Sequence, residues 1–179
     1  KIIVKKLDID KNGYITIDDL SAITDIKSVF RQKSNITSFN EFEYFNNIKT
    51  LDVNSFFNCT SLTTIKLPNS LTSTGVNMFW GCTSLTDVYI PSSVEIIESH
   101  CFNQCSKVSN IIFENPSTIK EIKSNAFAGT SNLSNLPFFE NLNSIEEKAF
   151  GSSGITEFTT SSKLTTLPNS CFSNSKLNS

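Results

Sequence analysis

The sequence is short of several residue types, and each shortage excludes a class of protein. Its 179 residues contain one His, one Met and one Trp, and 18% of them are charged, for a formal net charge of −2. A single His, with no nucleophile in a recognisable setting, cannot form a catalytic triad, so we expect no enzyme. The small negative charge gives no electrostatic footprint for nucleic acid. No apolar run approaches the roughly 18 residues of a membrane-spanning helix, so we expect no membrane insertion.

The residues that are abundant indicate a repetitive β structure. There are 15 Phe against three Tyr, and because Phe has no polar group, such an excess favours repeated core positions over an interface. Short polar residues (Ser, Thr and Asn) fill much of the remainder, which is typical of many turns and short strands. The chain opens on Lys1 without Met, and we expect it to be a piece of a longer protein.

One pattern recurs along the chain. The segment Phe56 to Leu62 reads Phe-x-x-Cys-x-x-Leu, and the same spacing returns from Phe79 to Leu85, with variants further on. The anchor phenylalanines of all copies are Phe30, Phe56, Phe79, Phe102, Phe127, Phe150 and Phe172. Their steps are 26, 23, 23, 25, 23 and 22 residues. A near-constant step over the whole chain predicts a solenoid.

Each repeat predicts one coil of that solenoid. Apolar residues alternate after the turn, which indicates a strand; the pairs are Ile65 and Leu67, Val88 and Ile90, Ile111 and Phe113, and Leu136 and Phe138. A Pro at positions such as Pro68 or Pro91 then ends the strand, because Pro cannot donate to a continuing ladder. Stacked coils bury a continuous apolar ladder, so we expect all seven anchor phenylalanines to lie buried in one row.

These residues resemble a known family. Phe-x-x-Cys-x-x-Leu followed by x-x-Ile-x-Leu-Pro and x-x-Leu-x-x-Ile is similar to the BspA-type leucine-rich repeat of bacterial and protist surface proteins, over about residues 20 to 179. The resemblance implies a β-rich solenoid of about 23-residue coils with a short helical cap at its N-terminus. It also implies a non-enzymatic protein at the cell surface or outside the cell. We expect the cap to occupy residues 1–30 and the repeats residues 31–179.

The predicted cap contains a calcium-loop pattern. Residues 8–19 match the EF-hand loop, and the candidate ligands are Asp8, Asp10, Asn12, Tyr14 (through its carbonyl), Thr16 (through water) and Asp19. Gly13 permits the sharp turn at position 6. Asp19 stands where Glu is usual, so we expect weak calcium binding, as in the similar dockerin loops. The metal-free alternative is a run of Asx turns that leads into a helix N-cap near Ile17 and Asp18.

The five Cys and the single His have structural explanations. Cys59, Cys82 and Cys105 share one repeat position. Cys101 and Cys171 share another, where sister repeats have Ala. We therefore predict reduced, buried thiols and neither a disulfide framework nor a zinc site. His100 takes the place of Asn54, Asn77 and Asn125 in other repeats, which predicts a surface turn residue.

The strand residues that point away from the core are predicted to form a continuous strip. Lys66, Tyr89 and Ile112 are its candidate ligand-binding residues, the alternative being that they are ordinary surface side chains. For Trp80 we favour packing at a turn over a platform for a sugar. The leading hypothesis is an adhesion or binding module for a protein or glycan of unknown identity. The alternatives are a structural spacer or a part of a larger assembly, such as a surface protein or phage particle, and an accessory domain of an enzyme.

Overall fold

The computed structural model describes residues 16–177. This part of the chain contains ten short helices and strands, joined by turns and loops. They are a helix α1 (Ile17–Ala22), the strands β1 (Ser38–Phe39), β2 (Thr64–Lys66), β3 (Asp87–Ile90), β4 (Ile96–Ile97), β5 (Asn110–Phe113), β6 (Glu121–Ile122) and β7 (Ser144–Ile145), and two 3₁₀ helices (Asn40–Tyr44 and Pro116–Thr118). Within these residues no helix has the length and apolar composition needed to cross a bilayer.

The strands form two parallel sheets. The first sheet has the order β1-β2-β3-β5 and the second has the order β4-β6-β7. Successive coils run in the same direction, so equivalent strands from neighbouring coils pair in parallel. Ile65, Val88 and Ile111 are partners in the first sheet, and all three point into the core. The predicted β-rich solenoid is confirmed.

The anchor phenylalanines form one column along the solenoid. The rings of Phe30, Phe56, Phe79, Phe102, Phe127, Phe150 and Phe172 stack in that order. Neighbouring centroids are 4.9 to 5.6 Å apart, close to the spacing of adjacent strands. The first six rings are buried, as predicted, whereas Phe172 is half-buried at the end of the column.

Most coils have two residues in the left-handed backbone conformation that lets the chain bend around its anchor. One lies two positions before the anchor, at Asn54, Asn77, His100, Asn125 and Lys148. The other lies two positions after it in all seven coils, at Gln32, Asn58, Gly81, Gln104, Gly129, Ser152 and Asn174. Asn and Gly tolerate a positive φ better than other residues, which explains why they recur there. His100, with φ of 56°, occupies one of these turns as predicted.

The cysteines occupy packing positions. The Sγ atoms of Cys59, Cys82 and Cys105 donate to the anchor carbonyls of the preceding coil, at 2.9, 3.1 and 2.9 Å. All five Cys are buried as free thiols. Their repetition along the sequence therefore reflects one recurring hydrogen bond and one recurring small core position.

One predicted strand does not form. Leu136 and Phe138 were expected to alternate into the core, but residues 132–138 have no strand and Phe138 is 51% exposed. The buried ring is instead Phe139, which packs edge-on against Phe113 with centroids 5.1 Å apart. Pro137 has no N–H to give to a ladder, so the chain crosses this stretch without regular pairing, and Phe139 turns inward instead of Phe138.

The helix α1 shares the core of the repeats. Leu20 and Ile23 are buried in the same apolar cluster as Phe30 and Phe42. The Nδ2 of Asn47 also donates to the carbonyl of Ser21 at 2.5 Å. A short helix therefore packs on the beginning of the solenoid, where the sequence predicted a helical cap.

Candidate functional site

The described part of the predicted calcium loop is its C-terminal end. Asp8, Asp10, Asn12 and Tyr14 lie outside the described residues, and Thr16 and Asp19 lie within them. Thr16 is the N-cap of α1, one residue before the cap position that the metal-free alternative predicted. Among residues 16–177 no group of three or more His, Cys, Asp or Glu side chains is placed to hold a metal ion.

Thr16 and Asp19 are joined in a capping box. The Oδ2 of Asp19 accepts from the backbone N–H of Thr16 at 2.9 Å and from its Oγ1 at 2.7 Å. The backbone N–H of Asp19 donates to the same Oγ1 at 3.2 Å. Asp19 is only 4% exposed, and its carboxylate is turned away from bulk solvent towards Thr16. The described contacts of Asp19 are thus those of a capping box at the start of α1.

The first sheet brings the three predicted strip residues together. Its register aligns Lys66 with Tyr89 and Tyr89 with Ile112, so the three side chains stand side by side on three successive strands. The outward face carries them because their neighbours Ile65, Val88 and Ile111 point inward.

These three residues line one cleft of about 360 Å³. Its other walls come from the end of β3 and from residues beside the strands, namely Glu43, Leu67, Asn69, Ile90, Pro91 and Glu114. Glu43 belongs to the 3₁₀ helix after β1, and Glu114 follows β5 directly. The cleft therefore draws on four successive coils.

The cleft has a charged group near each end of an apolar floor. Lys66 Nζ lies 5.6 Å from the centroid of the Tyr89 ring and 3.6 Å from a carboxylate oxygen of Glu43. On the other side, Glu114 Oε2 accepts from the backbone N–H of Ser92 at 2.8 Å. That hydrogen bond stabilises the charged carboxylate and lowers the pKa of Glu114.

Sequence reasoning missed the two carboxylates of the cleft. It identified Lys66, Tyr89 and Ile112 from strand alternation, but Glu43 and Glu114 lie outside the strands that alternation describes. The available signal for Glu114 was its position two residues after Ile112, which continues the outward parity of β5. Glu43 reaches the cleft from a 3₁₀ helix of the preceding coil, and no local pattern marks it.

Trp80 packs at a turn. His100 stacks on its indole with ring centroids 5.1 Å apart and planes 12° apart. Phe57 meets it edge-on at 5.8 Å. Neighbouring coils thus contact the indole on two sides, which favours packing at a turn over a platform for a sugar.

The thiols and the single His differ in how their surroundings shift their pKa values: a hydrogen bond with Cys82 lowers the pKa of the Cys59 thiol. Burial raises the pKa of the Cys101 and Cys171 thiols to about 12, so both remain neutral at pH 7. Burial lowers the pKa of His100 below its usual 6.5, and its ring is packed on Trp80.

The sequence matches one protein family over most of its length. Residues 24–118 and 112–179 match the BspA type leucine-rich repeat region, a model of six copies. No curated protein matches the chain.

Solved structures share the fold. The chain is similar to a leucine-rich repeat protein from Bacteroides ovatus, with 28% identity and a TM-score of 0.54 over 57% of this chain and 29% of that one. It is similar to the leucine-rich repeat protein of T. pallidum, with 30% identity and a TM-score of 0.52 over 59% and 49%. A leucine-rich repeat protein from Eubacterium ventriosum matches with 26% identity and a TM-score of 0.54 over 71% and 37%. The matched part of each solved protein is thus less than half of its length.

Proposed function

The chain belongs to the BspA-type leucine-rich repeat family, and on that premise we propose that it is a non-enzymatic binding or adhesion module for a protein or glycan ligand. The cleft of Lys66, Tyr89 and Ile112 carries the proposal. It combines an aromatic ring, an aliphatic side chain and charged groups on a parallel sheet, and these features are typical of a preformed binding site.

The proposal includes a location at the cell surface or outside the cell. The family resemblance supports it, since the repeat pattern is similar to that of surface proteins. The absence of an enzymatic role is supported by the neutral, buried thiols and by the packing of His100 on Trp80. The net charge of −2 gives no reason to expect a nucleic acid as the ligand.

Calcium stabilisation of the N-terminal cap is part of the same proposal. The ligands would be Asp8, Asp10, Asn12, Tyr14, Thr16 and Asp19. The support is the oxygen-rich loop pattern together with the buried carboxylate of Asp19 at the start of α1. A bound calcium would hold the loop against the helix, and α1 is packed on the core that the repeats share.

The test compares wild type with a Tyr89→Ala variant in binding to defined panels of glycans and of purified surface proteins. Tyr44→Ala is the matched control, because Tyr44 is similarly exposed (43% against 38%) and does not line the cleft. We expect a ligand that binds wild type and Tyr44→Ala but binds Tyr89→Ala at least about tenfold more weakly, the scale of a lost central aromatic contact. Equal binding by all three proteins would contradict the cleft as the binding site. If the wild type binds nothing beyond its own neighbours in the parent protein, the structural spacer is favoured instead.

A further inference from the structure

Lys66 indicates the kind of group that the cleft accepts. Its ammonium lies over the Tyr89 ring and within ion-pair distance of Glu43. An aromatic face and a carboxylate that share one cation form a recurring cation site in proteins. At this end of the cleft the chain itself thus supplies a cation.

Glu114 is the counterpart of Glu43 at the other end of the cleft. The hydrogen bond from Ser92 holds the Glu114 carboxylate in its ionised form. Some surface carboxylates pair with lysines, as Glu95 does with Lys120 at 2.7 Å and Glu146 with Lys123 at 3.2 Å, and others do not. Within residues 16–177, Glu114 has no such ion pair with Lys, Arg or His.

An apolar surface leads to this carboxylate. Ile112 is partly exposed, lies beside Tyr89 in the sheet and stands two residues before Glu114. A long side chain with an aliphatic stem and a cationic head could therefore lie along Ile112 and end at Glu114.

The charges of the cleft favour a cationic ligand. Glu43 and Glu114 carry two negative charges and Lys66 one positive charge, so the cleft has a net charge of −1. A neutral sugar would gain nothing from this charge, and an acidic ligand would be repelled by it.

Resting on the proposed function, we infer that the cleft binds a basic side chain of a protein partner, and that arginine fits it best. The planar guanidinium can form two parallel hydrogen bonds with the Glu114 carboxylate while its methylene stem packs on Ile112. A lysine ammonium is a compact charge and cannot form this paired arrangement. Lys66 remains with Tyr89 and Glu43 and closes the opposite end.

The experiment is an NMR titration of the ¹⁵N-labelled chain with three small probes. N-acetyl-arginine amide carries the guanidinium, N-acetyl-citrulline amide has the same shape without the charge, and methyl glucopyranoside represents a neutral sugar. We expect arginine to shift the amide signals of Tyr89, Ile112 and Glu114 saturably, and citrulline to bind about tenfold more weakly, as expected for a lost charge-assisted hydrogen bond. Added salt should weaken the arginine titration.

Two variants complete the test. Glu114→Gln should weaken arginine binding about tenfold and leave the rest of the spectrum unchanged, because Glu114 is exposed. Glu147→Gln is the control, since Glu147 pairs with Lys148 away from the cleft and its loss should leave the titration unchanged.

The outcomes separate this inference from the proposed function. Equal binding of arginine and citrulline, or full binding by Glu114→Gln, overturns the basic side chain as the ligand. Shifts at Tyr89 and Ile112 with the glucoside alone also overturn it, while they support a glycan-binding module. If none of the probes shifts the cleft signals, the inference is wrong, and the panel experiment with Tyr89→Ala still decides the proposed function.

Discussion

The rings of Phe127 and Phe150 stack with centroids 5.4 Å apart and planes 1° apart. The two residues are 23 positions apart in sequence, so one complete coil separates two rings that touch. Each interior anchor is covered on both sides by equivalent rings of neighbouring coils. The stability of a coil therefore depends on its neighbours more than on contacts within it.

An interior anchor phenylalanine should contribute more to the free energy of unfolding than the terminal one. Phe102→Ala removes a fully buried ring with stacked rings on both sides, and we expect a loss of about 3–5 kcal/mol in the free energy of unfolding. Phe172→Ala, at the half-buried end of the column, should cost clearly less. Chemical denaturation measures both values, and a loss below about 1 kcal/mol for Phe102→Ala would contradict the burial of the column.

Gly81 should accept a side chain only at a cost in stability. Its φ is +75°, and a β carbon there would come within 2.0 Å of Asn58 Oδ1. We expect Gly81→Ala to destabilise the protein by about 1–2 kcal/mol from the left-handed backbone alone, and by more from the clash. In an Asn58→Gly background only the backbone cost should remain. Equal effects in both backgrounds, measured as a double-mutant cycle, would show that the close approach does not matter.

Calcium should stabilise the wild type and have no effect on a loop variant. If the N-terminal loop binds in the weak extracellular range of roughly 10⁻⁴–10⁻³ M, millimolar calcium raises the melting temperature by mass action. Asp8→Ala should abolish the response. Asp18→Asn should retain it, because Asp18 stands at loop position 11, which supplies no ligand, and is exposed. Identical wild-type melting temperatures by calorimetry in calcium and in chelator would exclude the site.

The protein should lose stability in alkali through its buried thiols. Burial raises the pKa of Cys101 from 9.0 to about 12 in the folded state. The thiol must therefore stay protonated in the folded state. Its contribution to the free energy of unfolding is complete below pH 9 and declines as the pH rises from about 9 towards 12. The decline is about 1.4 kcal/mol for each pH unit per thiol.

Cys101→Ala should flatten this dependence, since Ala126 and Ala149 occupy the same repeat position in sister coils and are fully buried. Denaturation under reducing conditions at several pH values on both sides of 9 gives the two slopes. The variant should become more stable relative to wild type as the pH rises. Parallel curves for the two proteins would show that Cys101 does not contribute to the alkaline loss.

The repeat made most of the fold predictable, and local chemistry decided where prediction failed. Phe102 and Phe127 could be assigned to one column because their spacing recurs along the chain. Phe138 could not be placed correctly, since Pro137 removes the ladder hydrogen bond on which the alternation of side chains depends, and Phe139 takes the buried position.

The candidate site was only half predictable for a related reason. Tyr89 and Ile112 follow from strand parity, which is a local property of the sequence. Glu43 and Lys66 meet at 3.6 Å although they are 23 residues apart, and that meeting depends on how one coil is laid upon the next. The calcium loop at residues 8–19 stays a prediction as a whole, because the described structure begins at Thr16 and leaves out its first eight residues.

The cleft has a modular origin, since Glu43, Lys66, Tyr89 and Glu114 each come from a different coil. Gene duplication or deletion of a coil after Glu114 would lengthen or shorten the array and leave these four residues in place. The same event between Glu43 and Glu114 would displace part of the cleft by one whole coil, about 4.8 Å. Length and specificity can therefore evolve separately in this molecule, provided that recombination spares the coils that share the cleft.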